Sequence, residues 1–138
     1  MTRAFIDTSS LFKKYVEESG SKKLDALLQE ISEIAVSPVT WVEINAVLAR
    51  RLREKSLTSQ QAAWLKAETQ KDFQSFHRVV WNEALEQAAT DFVYQYSLLT
   101  FDAIQLAAGV LSKADVFITS DRRLFEQARR EIRHALYI

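Results

Sequence analysis

The sequence predicts an α/β fold, with a central parallel β-sheet of about five short strands flanked by helices. Short apolar runs alternate along the chain with longer segments of helical periodicity. Strands that alternate with helices pair in parallel, because each crossover helix covers one face of the sheet. Two glycines and one proline in 138 residues argue against a turn-rich all-β fold. We therefore expect one domain over residues 1–138.

The apolar runs place the predicted strands at residues 4–6, 34–36, 79–81, 116–119 and 135–138. Helices are predicted between them, beginning near residues 9, 21, 38, 58, 82, 101 and 122. Ser37 is expected to cap the third helix, with Pro38 at its first position. Thr58 and Gln61 have the spacing of a capping box at the start of the fourth. These two long helices should form an antiparallel hairpin.

Composition and charge exclude several classes of protein. Eighteen basic residues balance eighteen acidic ones, so binding of nucleic acid must rely on local basic patches or bound cations. The absence of cysteine excludes disulfides and thiolate metal sites. No apolar run approaches the roughly 20 residues of a membrane span, and no secretory signal begins the chain. A soluble protein of the cytoplasm is expected.

Four acidic residues occupy related positions in the predicted fold. Asp7 and Asp121 follow the ends of strands, whereas Glu43 and Asp102 lie in the early turns of helices. In a parallel sheet all four positions meet at one edge, where ligands bind. Helix stability alone could explain three of these acids. Asp7 and Asp121 could be helix caps, and the negative charge of Asp102 could interact favourably with the helix dipole.

Glu43 is harder to explain by helix stability alone. Its neighbours three and four positions away are mainly apolar: Val39, Thr40, Ala46 and Val47. A buried glutamate on such a face is unfavourable unless it is paired or bound to a cation. The four acids together are therefore expected to form a binding site.

A cluster of four carboxylates favours a divalent cation as its counter-charge. Oxygen ligands without cysteine or paired histidine favour Mg²⁺ or Mn²⁺ over zinc. His77 and His134 lack metal-ligand spacing and are expected to be ordinary histidines. Such a site suits hydrolysis of a phosphodiester, with Asp7 as its central ligand.

Four further residues are candidates for supporting roles. The hydroxyls of Ser9 and Thr119 could orient carboxylates or water, although both could be simple cap or turn residues. Arg122 and Arg123 adjoin Asp121 and are candidates for substrate binding. The three tryptophans favour core or interface positions over base-stacking platforms: Trp41, Trp64 and Trp81.

Four short segments together resemble the PIN-domain ribonucleases, and more narrowly the VapC toxins of toxin–antitoxin pairs. They are FIDTS at residues 5–9, SPVTWVE at 37–43, FDAIQLA at 101–107 and FITSDRRL at 117–124. Each segment alone is a weak signal, but their order and the length of the chain match the family over nearly the whole sequence.

The resemblance implies a PIN-like domain that cuts RNA endonucleolytically with Mg²⁺ or Mn²⁺. The acidic positions of the family fall on Asp7, Glu43, Asp102 and Asp121, and all four are acidic here. It also implies a homodimer inhibited by a VapB-type antitoxin protein. The hairpin over residues 38–76 would then be part of the surface that grips the antitoxin, with Trp41 and Trp64 as contacts.

Two other readings remain open from the sequence. A PIN-like scaffold could bind RNA or a protein without cutting, although the intact set of acids argues against it. A phosphatase or phosphotransfer domain also has an aspartate after its first strand. The haloacid-dehalogenase type requires a second aspartate where this chain has Ser9.

Overall fold

The structure is a computed structural model that describes residues 2–138 as a parallel sheet covered by helices. The strands are β1 (Arg3–Ile6), β2 (Glu33–Val36), β3 (His77–Arg78), β4 (Val116–Thr119) and β5 (Ala135–Tyr137). Their order across the sheet is β3-β2-β1-β4-β5, and every neighbouring pair is parallel. This arrangement confirms the predicted α/β class and places β1 at the centre.

Within residues 2–138, seven helices connect and cover these strands. They are α1 (Thr8–Phe12), α2 (Ser21–Leu28), α3 (Thr40–Arg53), α4 (Ser59–Phe73), α5 (Glu83–Tyr96), α6 (Thr100–Leu111) and α7 (Arg122–Glu131). None of the helices within residues 2–138 is long and apolar enough to cross a membrane.

The central strands are buried on both faces, which explains why they read as continuous apolar runs. Successive side chains along a strand point to opposite faces of the sheet. Phe5 and Phe117 accordingly belong to one core, where their stacked rings have centroids 5.2 Å apart. Ile6 and Ile118 belong to the core on the other face.

The predicted third strand at residues 79–81 is wrong. The observed strand β3 is His77–Arg78, and the last backbone hydrogen bond to the sheet runs from Val79 N to Val36 O at 3.0 Å. Val80 and Trp81 lie beyond it and are exposed. An apolar run predicts a strand when its side chains are buried in the core. The side chains of Val80 and Trp81 are exposed, so their apolar character does not indicate a strand.

The predicted start of the third helix is also wrong, because α3 begins at Thr40 instead of Pro38. The Ser37 hydroxyl accepts a hydrogen bond from Val39 N at 3.2 Å and is 2.9 Å from Thr40 Oγ1. Ser37 therefore stabilises a turn that precedes the helix. The consequence is that Glu43 lies in the first turn of α3.

The α3–α4 pair forms the predicted antiparallel hairpin. Trp41 at the start of α3 packs edge-on against Phe73 at the end of α4, with ring centroids 5.0 Å apart. The predicted capping box is present: Thr58 Oγ1 accepts from Gln61 N at 3.1 Å, and Gln61 Oε1 accepts from Thr58 N at 2.9 Å.

Replacing Thr58 with alanine should lower the free energy of unfolding by about 1 kcal/mol, because one backbone N–H at the start of α4 loses its acceptor. The measurement is urea denaturation followed by circular dichroism. Thr58→Ser keeps the hydroxyl and is expected to stay within a few tenths of a kcal/mol of the wild type. Equal losses in the two variants would contradict a role for the hydroxyl.

A candidate carboxylate active site

The four predicted acids line one cavity of about 450 Å³ at the carboxyl edge of the sheet. The complete lining is Asp7, Thr8, Ser9, Glu43, Asp102, Gln105, Ser120 and Asp121. Strands β1 and β4 are parallel neighbours, so the residues that follow them emerge at the same edge. Helix α3 follows β2 at this edge, and α6 packs against β2.

Asp7 is the most firmly held of the four acids. It caps α1, is only 4% exposed, and its Oδ1 accepts from Ser10 N at 3.0 Å. The structure also places both predicted hydroxyls against it. Ser9 donates to Oδ1 at 3.1 Å, and Thr119 donates to Oδ2 at 2.5 Å.

Burial raises the pKa of Asp7, although the hydrogen bonds from Thr119, Ser10 and Ser9 oppose this effect. A buried carboxylate that still accepts three hydrogen bonds is fixed in orientation, and its charge is poorly solvated. Binding of a cation would offset the unfavourable free energy of this poorly solvated negative charge.

Glu43 is held by two polar side chains from different elements. Its Oε1 accepts from Thr8 Oγ1 and from Gln105 Nε2, both at 2.7 Å. Gln105 Nε2 also lies 3.0 Å from Thr8 Oγ1, so the three groups form a small network between α1, α3 and α6. This network orients the glutamate, which forms no ion pair with a basic residue in the described part of the chain.

Asp102 and Asp121 complete the cavity from the starts of α6 and α7. Burial raises the pKa of Asp102, and the negative charges of Asp121 and Glu43 raise it further, whereas Arg123 lowers it. Asp121 caps α7 by accepting from Leu124 N at 3.1 Å. Its own N–H donates to Thr119 Oγ1 at 3.0 Å. Thr119 thus connects Asp121 to Asp7.

The two predicted arginines lie outside the cavity lining. Arg122 packs over the ring of Tyr137, with its guanidinium carbon 4.1 Å from the ring centroid. Arg123 Nη2 donates to Ser97 O at 2.9 Å. The positive charge of Arg123 lowers the pKa of Asp102, an acid of the cavity.

The chemistry of the cavity fits a hydrated divalent cation. Within residues 2–138, none of the four acids forms an ion pair with lysine, arginine or histidine. Within the same residues, no three Asp, Glu, His or Cys side chains lie close enough to form a ready-made metal site. Mg²⁺ commonly keeps several waters and binds one or two carboxylates, so it does not require an enclosed site.

Gln105 and Thr8 are site residues that were not predicted from the sequence. Gln105 is 3% exposed, and its Oε1 has no hydrogen-bond partner among residues 2–138. A buried amide with an unsatisfied oxygen is unfavourable in a purely structural role. The feature of the sequence that could have identified Gln105 is its position three residues after Asp102 on the same helix. This spacing places both side chains on one face.

The fold is similar to that of several solved structures. One is a toxin–antitoxin complex from Klebsiella pneumoniae, with 21% identity, coverage of 88% of this chain and 89% of that chain, and a TM-score of 0.65. A second is VapBC2 from Rickettsia felis bound to a DNA fragment from its promoter, with 10% identity, 99% coverage of each chain and a TM-score of 0.70. A third is FitAcB from Neisseria gonorrhoeae, with 12% identity, coverage of 98% and 96%, and a TM-score of 0.70.

Comparison of the amino-acid sequence with known protein families identifies the family of this chain. No curated protein matches the chain. The sequence profile of the PIN domain, however, matches residues 4–131, which include most of β1, all of β2, β3 and β4, and all four acids of the cavity. The chain belongs to the PIN-domain family.

Proposed function

We propose that this protein is a Mg²⁺- or Mn²⁺-dependent endoribonuclease and the toxin of a VapBC-type toxin–antitoxin pair. The observation that carries the proposal is the set of four carboxylates that line one cavity and that have no cationic partner among residues 2–138. Membership of the PIN-domain family and the likeness to toxin–antitoxin structures support it.

In this proposal Asp7, Glu43, Asp102 and Asp121 are the catalytic and metal-binding residues. A bound Mg²⁺ or Mn²⁺ would supply an activated water and stabilise charge on the phosphate oxygens. Asp7 is the central carboxylate because three hydrogen bonds fix it. Ser9 and Thr119 position Asp7, and Thr8 and Gln105 position Glu43. Arg122 and Arg123 extend the surface that binds RNA phosphates.

The proposal is tested by incubating purified, partner-free protein with total cellular RNA in Mg²⁺, in Mn²⁺ and in chelator. We expect discrete fragments that require the metal, and mapping of their ends identifies the bonds cleaved. Fragments of the same pattern in chelator would contradict the proposed mechanism.

A scaffold that binds RNA or protein without cutting is the second candidate. The observation that favours it is the lack, within residues 2–138, of three acids in metal-binding proximity. Folded, partner-free protein that cuts no RNA with either metal would support the scaffold over the nuclease.

The proposed partner is a VapB-type antitoxin, and Trp64 is the residue best placed to bind it. Trp64 is 60% exposed and lines a cavity of about 540 Å³ with Tyr15, Val16, Leu57 and Leu65. Trp41, by contrast, is half-buried against Phe73 and faces a different cavity. An exposed tryptophan in an apolar cavity is a frequent anchor in protein interfaces.

Replacing Trp64 with alanine is expected to weaken antitoxin binding by roughly 30-fold or more, which corresponds to about 2 kcal/mol or more for an interface anchor. The measurement is calorimetric titration with the cognate antitoxin. Trp81→Ala is the matched control, because Trp81 is also exposed but lies outside this cavity. Unchanged affinity in Trp64→Ala would contradict the role.

A homodimer is the second proposed assembly. Four exposed, large apolar side chains near the junction of α5 and α6 support it: Val93, Tyr94, Leu99 and Phe101. Sedimentation velocity of the isolated protein tests it. A single monomeric species at micromolar concentration would contradict it.

A further inference from the structure

A second cavity of the protein differs in chemical character from the carboxylate cavity. Its volume is about 280 Å³, and it is lined by Trp41, Gln70, Phe73, Gln74 and Arg78. Two aromatic rings, one guanidinium and two amides thus surround one opening. The function of the four carboxylates does not use any of these groups.

The topology places this cavity at the same edge of the sheet as the acids. Arg78 ends β3 and is level with Val36 at the end of β2. The end of β1, which Asp7 follows, is one strand further across the sheet. Two strand spacings correspond to roughly 10 Å. Trp41 is two positions before Glu43 on α3, so the first turn of α3 contributes to both cavities.

The side chains provide planar surfaces for stacking. Trp41 packs edge-on against the buried Phe73, which fixes the orientation of the indole. The guanidinium of Arg78 lies 5.4 Å from the centroid of the Phe73 ring. It forms no ion pair with a carboxylate within residues 2–138, so its charge is free to bind an anionic ligand.

The amides provide hydrogen-bonding groups at the mouth of the cavity. Gln70 and Gln74 are one helical turn apart at the end of α4, and both are exposed. Each amide carries donors and an acceptor, which match the edges of a nucleobase. Unpaired RNA bases are typically recognised by stacking on aromatic or arginine planes together with hydrogen bonds to their edges.

We propose that the cavity formed by Trp41, Phe73, Arg78, Gln70 and Gln74 binds an unpaired base of the RNA next to the cleaved bond and contributes to the choice of cleavage site. The inference rests on the proposed RNA substrate. It revises the expectation that Trp41 serves only the core or an interface, because part of Trp41 lines an open cavity at the edge of the sheet where the acids lie.

The test measures RNA binding separately from cleavage. Single-stranded, fluorescein-labelled oligonucleotides of about ten residues, as A, C and U homopolymers and as a random pool, are titrated by anisotropy. The protein carries Asp102→Asn so that it does not cut the probes. In this background, Trp41→Leu should weaken binding of at least one probe roughly fivefold or more, as expected for loss of one stacked base.

Two further variants separate stacking from charge and from damage to the fold. Arg78→Lys keeps the charge but loses the planar group, so we expect weaker binding than in the parent. Gln70→Ala combined with Gln74→Ala changes only exposed side chains and should reduce the differences in affinity among the homopolymers. Trp81→Leu is the control, because Trp81 is exposed and lines neither this cavity nor the carboxylate cavity, and it should bind RNA like the parent.

The outcomes distinguish this inference from the proposed nuclease activity. If the wild type cuts RNA but Trp41→Leu, Arg78→Lys and the double glutamine variant bind every probe like the parent, the base site is wrong and the nuclease stands. Failure of the parent to bind any probe, or an equal loss in Trp81→Leu, also overturns the base site. If the variants lose affinity as expected while the wild type cuts nothing, the base site stands and the nuclease is wrong. Loss of antitoxin binding in these variants with unchanged RNA binding would assign the cavity to the protein partner instead.

Discussion

Replacing Asp102 with asparagine is expected to lower metal-dependent RNA cleavage by roughly 100-fold or more. Asparagine keeps the shape of the side chain but removes one of the negative charges that would hold the cation. Stabilisation of a transition state by a metal is worth several kcal/mol, and about 1.4 kcal/mol corresponds to a tenfold change in rate. The measurement is the initial rate of cleavage of one mapped RNA under saturating Mg²⁺.

The control for this prediction is Asp25→Asn. This substitution removes an exposed carboxylate of α2 that does not line the cavity. Its cleavage rate is expected to equal that of the wild type. Cleavage by Asp102→Asn at the rate of the wild type would indicate either a contaminating nuclease or a different active site.

The same substitution should raise the stability of the metal-free protein. Burial, Asp121 and Glu43 raise the pKa of Asp102 in the folded state, so its protonated form is favoured by folding. The protonated carboxyl of Asp102 therefore contributes to the free energy of unfolding at pH values below its pKa in the unfolded chain. This contribution is lost as the pH rises through its pKa in the folded protein. The stability advantage of Asp102→Asn over the wild type should therefore grow from acidic to neutral pH in chelator. A constant difference across this range would contradict the electrostatic account.

Replacing Gly109 with alanine is expected to lower the free energy of unfolding by about 2 kcal/mol, although alanine is normally the better helix former. A Cβ at this position of α6 would lie 2.6 Å from both Cδ2 and Cε2 of Phe117 and 3.4 Å from Ile132 Cδ1. The Phe117 ring is fully buried and stacked on Phe5, so it has little room to move. Chemical denaturation measures the loss.

A double-mutant cycle provides the control for this close approach. Phe117→Leu removes the ring atoms that the new methyl group would meet. In that background Gly109→Ala should be neutral or stabilising, because only the gain in helix propensity remains. An equal loss in both backgrounds would show that the ring is not the cause.

The gathering of the four acids is predictable from the sequence, because topology determines it. Asp7 and Asp121 follow buried apolar runs that can only be strands of the core. Parallel pairing then brings the carboxyl ends of these runs to one edge. The distances between the carboxylates do not follow from this rule, because they depend on rotamers and on side chains that hold each acid.

Gln105 illustrates why the remaining part of the site is not predictable. Its position on α6 places it near Asp102, but its bond to Glu43 joins residues separated by 62 positions. Only tertiary packing determines that contact. Similarly, the exposed Val80 and Trp81 resemble a strand because local sequence does not report which apolar residues the fold leaves at its surface.

The most direct measurement of the central claim is Mn²⁺ binding to the metal-free protein, followed by electron paramagnetic resonance. We expect the wild type and Asp25→Asn to bind Mn²⁺ equally. We expect Asp7→Asn and Asp102→Asn each to weaken Mn²⁺ binding by about tenfold or more, since loss of a ligand costs at least as much as loss of a supporting group. Equal Mn²⁺ affinity in all four proteins would contradict the claim that these carboxylates form one cation site.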